Sequence, residues 1–198
     1  MPSLNVISPA LSSPVRHGGS EPPPEPDQPP GLDGSGGLLI RAARLDDLDR
    51  LFNIEQACFD SDALSRRSFH HALTHAHATC LVETMDGHVA GYALVFERTN
   101  SRIAWLNSLA VDPAYRGRGI GRRLLGAAES SARRHGCHWM RLEVRPDNGS
   151  ALALYRQEGY QPIATIPGFY EDGAPALRHR KNLLDDTSSA SPVSQTSP

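Results

Sequence analysis

Lysine is nearly missing from this chain: of its twenty basic residues only Lys181 is not arginine. Arginine suits bidentate contacts with phosphate, but a bias spread over a whole chain reflects coding composition rather than function. Cysteine is scarce as well. Cys58, Cys80 and Cys137 are odd in number, widely spaced and without a C-x-x-C pair, which argues against a disulfide framework or structural zinc site and for a reducing compartment. No apolar run approaches the ~18 residues of a membrane span and no basic-then-apolar leader opens the chain. Neither membrane insertion nor secretion is expected, and the cytoplasm is the default location. Charge of one sign is not in large excess either. The formal charge is −2, and the net negative charge sits in the ends, with Arg16 facing Glu21, Glu25, Asp27 and Asp33 in front and Asp185 and Asp186 behind. The mildly basic middle suits a small anionic ligand but falls far short of a nucleic-acid footprint.

Residues 1–37 hold nine of the sixteen prolines and almost no apolar periodicity. They cannot bury enough surface to offset chain entropy and read as a disordered Pro/Gly-rich arm. Residues 185–198 read as a disordered tail, leaving 38–184 for one domain. Within it, a strand at 38–42 precedes an amphipathic helix over 46–58 carrying Leu48, Leu51, Phe52 and Ile54. Ser65 caps a second helix. Strands at 80–85 and 88–97 flank the turn pair Asp86-Gly87, and 103–111 continues the sheet. A helix ending at Gly136, a strand at 138–144, a helix capped by Asn148 and ending at Gly159, and strands at 160–165 and 174–182 complete the order β-α-α-β-β-β-α-β-α-β-β. That order specifies an α/β fold with a mixed, mostly antiparallel central sheet and flanking helices.

The most informative stretch is Ser108 to Leu125, SLAVDPAYRGRGIGRRLL. A short apolar strand of Leu109, Ala110 and Val111 runs through a Pro-containing turn into Arg116, Gly117, Arg118, Gly119, Ile120 and Gly121, and directly into a helix. Unpaired amides and the positive end of the helix dipole converge there, as a pyrophosphate requires. The three glycines keep Cβ atoms away from such a ligand, and Arg116, Arg118, Arg122 and Arg123 surround it with positive charge. A P-loop needs Gly-Lys-Ser/Thr where Arg122 and Arg123 follow Gly121, and a dinucleotide fingerprint needs glycine where Leu124 stands. The third cradle type is an acetyl-CoA loop, R/Q-x-x-G-x-G/A, whose pattern Arg116, Gly119 and Gly121 satisfy; a loop whose glycines merely start the helix is the alternative.

This segment, the element order and a second segment, LEVRPDNGSALALYRQEGY, together resemble the GNAT superfamily of N-acetyltransferases. The second segment and the later FYEDGAPAL look most like the branch of the ribosomal-protein alanine N-acetyltransferases. The resemblance covers about 38–183. It implies splayed strands at the cofactor site: the strand ending at Val111 parts from the one over 139–144, and the pantetheine arm of acetyl-CoA enters the gap. Backbone groups near Leu109, Ala110 and Val111 would pair with pantetheine, and the loop from Arg116 to Arg122 would hold the pyrophosphate.

The same resemblance implies Glu143 as general base and Tyr155 as the acid that protonates the leaving thiolate. From the residues alone, Glu143 is a carboxylate between two apolar strand neighbours, open to a salt-bridged role, and Tyr155 is open to ring packing against the sheet. Asn148 serves equally as helix cap and as a pantetheine contact. Asn107, Ser108 and the loop of Phe169, Tyr170, Glu171 and Asp172 are candidates for lining the acceptor groove, with Asn107 and Tyr170 foremost; a solvated turn explains the loop equally well. Phe169 stands where relatives often have tyrosine, and Pro175 where an acidic residue is usual. His70, His71, His75 and His77 lack a metal-binding frame, and no metal is expected. The resulting expectation is an acetyl-CoA-dependent transfer to an amine, foremost the N-terminal α-amine of a protein or peptide, by direct attack without an acetyl-enzyme. Transfer to lysine side chains or small amines, and a non-catalytic acyl-CoA-binding module, are the alternatives. Neither a nucleic acid nor a membrane is an expected partner.

Overall fold

The computed structural model describes residues 39–59, 62–75, 77–98 and 100–184. The expected arm and tail, at 1–37 and 185–198, lie outside the described residues. Strands β1 (Leu39–Ala42), β2 (Ala78–Met85), β3 (His88–Glu97), β4 (Ile103–Val111), β5 (Trp139–Val144), β6 (Gln161–Ile166) and β7 (Ala176–Asn182) form one sheet in the order β1-β2-β3-β4-β5-β7-β6. All neighbours are antiparallel except β4 and β5. Helices α1 (Leu48–Cys58), α2 (Arg66–Thr74), α3 (Ile120–Arg134) and α4 (Gly149–Gln157) flank it. Among the described residues no helix is long and apolar enough to cross a membrane.

Local chemistry accounts for most of these elements. The Ser65 hydroxyl accepts from Ser68 N at 3.0 Å and starts α2, and Asn148 Oδ1 accepts from Ala151 N at 3.1 Å and starts α4. Asp86 and Gly87 both take positive φ, as the tight turn between β2 and β3 demands. One expectation shifts: α1 begins at Leu48, because Leu45–Asp47 forms a single 3-10 turn. There Asp47 accepts from the backbone of Arg44 and from the Arg41 guanidinium on β1, and so is spent on tying the helix entry to the sheet. Pro175 stays outside β7, which begins at Ala176.

Two apolar layers sandwich the sheet. On one face α1 and α2 bury Leu51, Ile54 and Phe69 against Val82, Tyr92 and Leu94. On the other, α3 and α4 bury Leu124, Leu125, Ala128 and Tyr155 against Ala93, Leu106, Met140 and Leu142. The layer under α1 and α2 contains no residue of β5, β6 or β7, so among the described residues the far half of that face is without a helical lid. Gly91 permits the close seating of α3, since a Cβ there would lie 3.1 Å from Ile120 Cγ2 and 3.2 Å from Leu124 Cδ1.

Candidate active site

The parallel pairing of β4 and β5 is confined to Ile103 with Trp139, Ala104 with Met140 and Trp105 with Arg141. Beyond Trp105, β4 follows β3 to Val111 and β5 follows β7 to Val144, so the two central strands part. The cause lies on β4. Leu94 pairs with Ser108 and Val95 with Leu106, which leaves Asn107 as an extra residue that bends the strand. Asn107 thus stands at the fork. Leu109, Ala110 and Val111 form one wall of the opening, and their β5-facing edge has no strand partner among the described residues. An extended ligand carrying amides fits such an edge. At its top the Val111 carbonyl already accepts from Arg116 Nε and Cys58 Sγ, both at 3.3 Å.

At the open end of this wall lies the glycine-rich loop. Gly117 and Gly119 take φ of 77° and 75°, and Gly119 occupies the N-cap position of α3 in the left-handed region. It offers no side-chain acceptor, so the first amides of α3 remain available to an anion. Gly121 lies inside the helix and does not use the conformational freedom expected of it. The arginine ring is also thinner than expected. Arg123 forms a bidentate pair with the fully buried Glu83 of β2, and Arg122 binds Glu158 at the end of α4. Arg116 turns back toward Val111, while Arg118 rests over the Tyr115 ring. Amides and helix dipole therefore offer more to an anion here than the guanidinium groups do. The loop and the bare β4 edge together fit the pyrophosphate and arm of a coenzyme A thioester.

Of two ionisable groups, Glu143 lies just past the fork on β5 and Tyr155 lies in the layer on the opposite face of the sheet. Met140 and Leu142 point into the α3/α4 layer, so Glu143 points to the α1/α2 face, where it is fully buried and accepts from Arg178 Nε at 2.6 Å. Tyr155, on α4, belongs to the other layer and packs edge-on to Tyr160. Its hydroxyl is buried and makes no hydrogen bond among the described residues. Burial, helped by the nearby Tyr170, pushes this phenol well above its ordinary range, so it holds its proton at neutral pH. Tyr170, in the β6–β7 loop, is likewise buried and raised by burial. Asn148 acts here as the cap of α4.

Sequence reasoning overlooked the residues that join the loops around this site. Arg145, two residues past Glu143, stacks on the Tyr170 ring at 4.7 Å, pairs with Asp172 at 2.5 Å and lies 3.8 Å from Asp62. Asp62 also accepts from Glu171 N at 3.0 Å, which ties the α1–α2 loop to the β6–β7 loop. Asp172 is therefore committed to Arg145 rather than free to attract a cationic amine. Arg145 lay within the quoted LEVRPDN segment, yet only the fold brings Asp62 and Asp172 to it. A further buried carboxylate, Glu55 of α1, accepts from Leu64 N at 2.8 Å, from the Tyr92 hydroxyl and from Ser108 Oγ at 3.3 Å. Burial pushes it up to about 7, against the pull of those hydrogen bonds. Leu51 four residues before it and the C-cap residue Phe59 four residues after it are both buried, so the helical spacing puts Glu55 on the apolar face of α1, the signal by which it could have been found.

The profile of the acetyltransferase (GNAT) family matches residues 46–160. The N-alpha-acetyltransferase RimI of Mycobacterium tuberculosis is 35% identical over 153 residues, covering 75% of this chain and 92% of that protein. The N-alpha-acetyltransferase daf-31 of Caenorhabditis elegans is 29% identical over 151 residues, covering 74% and 83%. Among solved structures, the ribosomal-protein-S18-alanine N-acetyltransferase of Escherichia coli superposes with a TM-score of 0.67 at 26% identity, over 74% of this chain and 94% of that one. The M. tuberculosis and E. coli proteins fall in the branch that the two long motifs resemble. With the match extending over more than half of its length, the chain belongs to the acetyltransferase (GNAT) family and is an N-acetyltransferase whose acetyl donor is acetyl-CoA.

Proposed function

We propose that the chain acetylates the α-amine of a protein or peptide N-terminus in the cytoplasm, by direct attack within a ternary complex. The observation that carries this reading is the strand fork, with the buried carboxylate of Glu143 on one face of the sheet and, on the other, the hydroxyl of Tyr155, which has no hydrogen-bond partner among the described residues. An amine must be neutral to attack, and Glu143 takes the proton it gives up. Acetyl-CoA supplies the thioester carbonyl carbon as electrophile. Tyr155, kept protonated by burial, gives its proton to the departing sulfur. Leu109, Ala110 and Val111 hold the pantetheine arm, the loop from Arg116 to Arg122 holds the pyrophosphate, and Asn148 adds a contact beside its capping role. Asn107 and Tyr170 line the acceptor side.

Direct transfer is favoured over an acetyl-enzyme by the state of the thiols. Cys58, Cys80 and Cys137 are all buried, and burial raises each of them, Cys80 to about 12. A thiolate nucleophile is therefore scarce at neutral pH. The α-amine is favoured as acceptor because the M. tuberculosis and C. elegans relatives are N-alpha-acetyltransferases.

The test is mass spectrometry after incubation with acetyl-CoA, using peptides with free N-termini, lysine peptides with blocked N-termini, and small amines. Acetylation of the first set is the expected result. Reaction confined to either of the others reassigns the acceptor, and tight coenzyme binding with no turnover on any set replaces the enzyme by a binding module.

A further inference from the structure

Along the face of the sheet that carries Glu143, beyond the reach of α1 and α2, cations gather. Strand alternation puts Arg141 and Glu143 of β5 on this face together with Arg178 and Arg180 of β7, and the register pairs Glu143 with Arg178 and Arg141 with Arg180. Trp105 of β4 stands beside Arg141 in the parallel rung. The guanidinium carbons of Arg178 and Arg141 lie 5.0 and 5.7 Å from the Trp105 ring centre, and that of Arg180 lies 4.1 Å from Trp139. Stacking of this kind fixes the planes of the guanidinium groups before any ligand arrives.

The charges on this patch do not balance. Three guanidinium groups face one carboxylate, Glu143, and Arg178 is the residue that holds it. Arg141 and Arg180 have no acidic side chain within ion-pair distance among the described residues, and Arg141 Nε is buried with no hydrogen-bond partner. Burial, with Arg178 and Arg180 adding to it, pushes the Arg141 guanidinium down. A half-buried cation with an unmet donor is costly in isolation and is relieved by an anion placed against it.

Resting on the acceptor reading above, we infer that Arg141, Arg178 and Arg180, framed by Trp105 and Trp139, read an acidic side chain of the acceptor, so that the preferred peptide carries Asp or Glu at its second or third residue. The spacing supports this assignment. Arg141 and Glu143 are two residues apart on one strand, about 6.7 Å. An extended acceptor with its amine at Glu143 covers that span in two residues, at about 3.3 Å each. A carboxylate there meets a guanidinium fork already held flat, which suits a bidentate charge-assisted contact.

The experiment compares peptides with a free N-terminal Ala that differ only at residues 2 and 3, carrying Glu, Gln or Lys. The wild type is expected to show kcat/KM about tenfold higher for Glu than for Gln, as a charge-assisted hydrogen bond supports, with Lys lowest. Arg141→Gln is expected to bring the Glu-to-Gln ratio close to one, chiefly through KM, and Arg141→Lys to restore part of it. Calorimetric binding of acetyl-CoA checks that each variant is folded, and Arg180→Gln, read in the same way, replaces any that is not. A wild-type ratio at or below one, or a ratio untouched by Arg141→Gln, overturns the inference and leaves the α-amine reading standing. Failure of every free N-terminal peptide to react overturns both.

Discussion

Arg178 donates from Nε to Glu143 Oε1 at 2.6 Å, across the register pair that joins β7 to β5. The contact gives the proposed proton acceptor a fixed direction at the mouth of the fork. It also anchors the cationic patch to the reacting centre, since the same guanidinium lies against Trp105. The proposed base and the proposed acceptor-reading patch are thereby linked through one side chain.

Glu143→Gln keeps the shape of the side chain and removes the proton acceptor. Its kcat is expected to fall by roughly 10²–10⁴, with the Kd for acetyl-CoA unchanged. Steady-state kinetics together with calorimetry read the two quantities; a variant that turns over at the wild-type rate removes Glu143 from the mechanism.

Tyr155→Phe separates chemistry from packing. The hydroxyl forms no hydrogen bond among the described residues, so its loss leaves no partner stranded. Thermal melting is expected to show a Tm equal to or above that of the wild type. Turnover is expected to drop by about 10². A lowered Tm with undiminished kcat assigns Tyr155 to packing alone.

Gly119→Ala tests the anion cradle. The residue has φ of 75°, and a Cβ would lie 3.0 Å from Arg123 Nη1. A left-handed L-residue costs about 1–2 kcal/mol, so both stability and acetyl-CoA affinity are expected to fall. Gly126→Ala is the matched control, because that position in α3 has nothing within 4 Å of the new Cβ. There the change is expected to stabilise by about 0.8–1 kcal/mol and leave affinity alone. Denaturant titration and calorimetry on the pair decide the matter.

Glu55 makes stability depend on pH. Burial raises it from the ordinary 4.5 to about 7, so between those values the folded state binds more protons than the unfolded one. Its contribution is fully present below 4.5 and is lost as pH rises through about 7. Glu55→Gln, which keeps an oxygen to accept from Leu64 N, is expected to flatten the stability profile across that window. Urea unfolding at a series of pH values measures it, and an unchanged slope refutes the assignment.

How much was readable in advance differs from element to element. The cap residues Ser65 and Asn148, the Asp86-Gly87 turn and the glycine stops at Gly136 and Gly159 act within a few residues of themselves, and the structure places them as the local pattern required. The glycine-rich loop was legible for the same reason. Its arginines were not: Arg123 finds Glu83 forty residues away on β2, and Arg122 finds Glu158 on α4, which are partners no window of sequence contains. The Asn107 bulge was hidden too, because it arises from how β3 pairs with β4 and leaves no trace in the alternation of β4 itself.

Short-range chemistry, written in the order of residues, was enough to specify an α/β chain with a phosphate-seeking loop and a charged residue between apolar strand neighbours. Whether that charged residue meets a cation, where the central strands separate, and which arginines remain without an acidic partner depend on strands brought side by side from distant parts of the chain. Hydrogen-bond register and burial settle those questions, and both come into being only when the sheet has assembled.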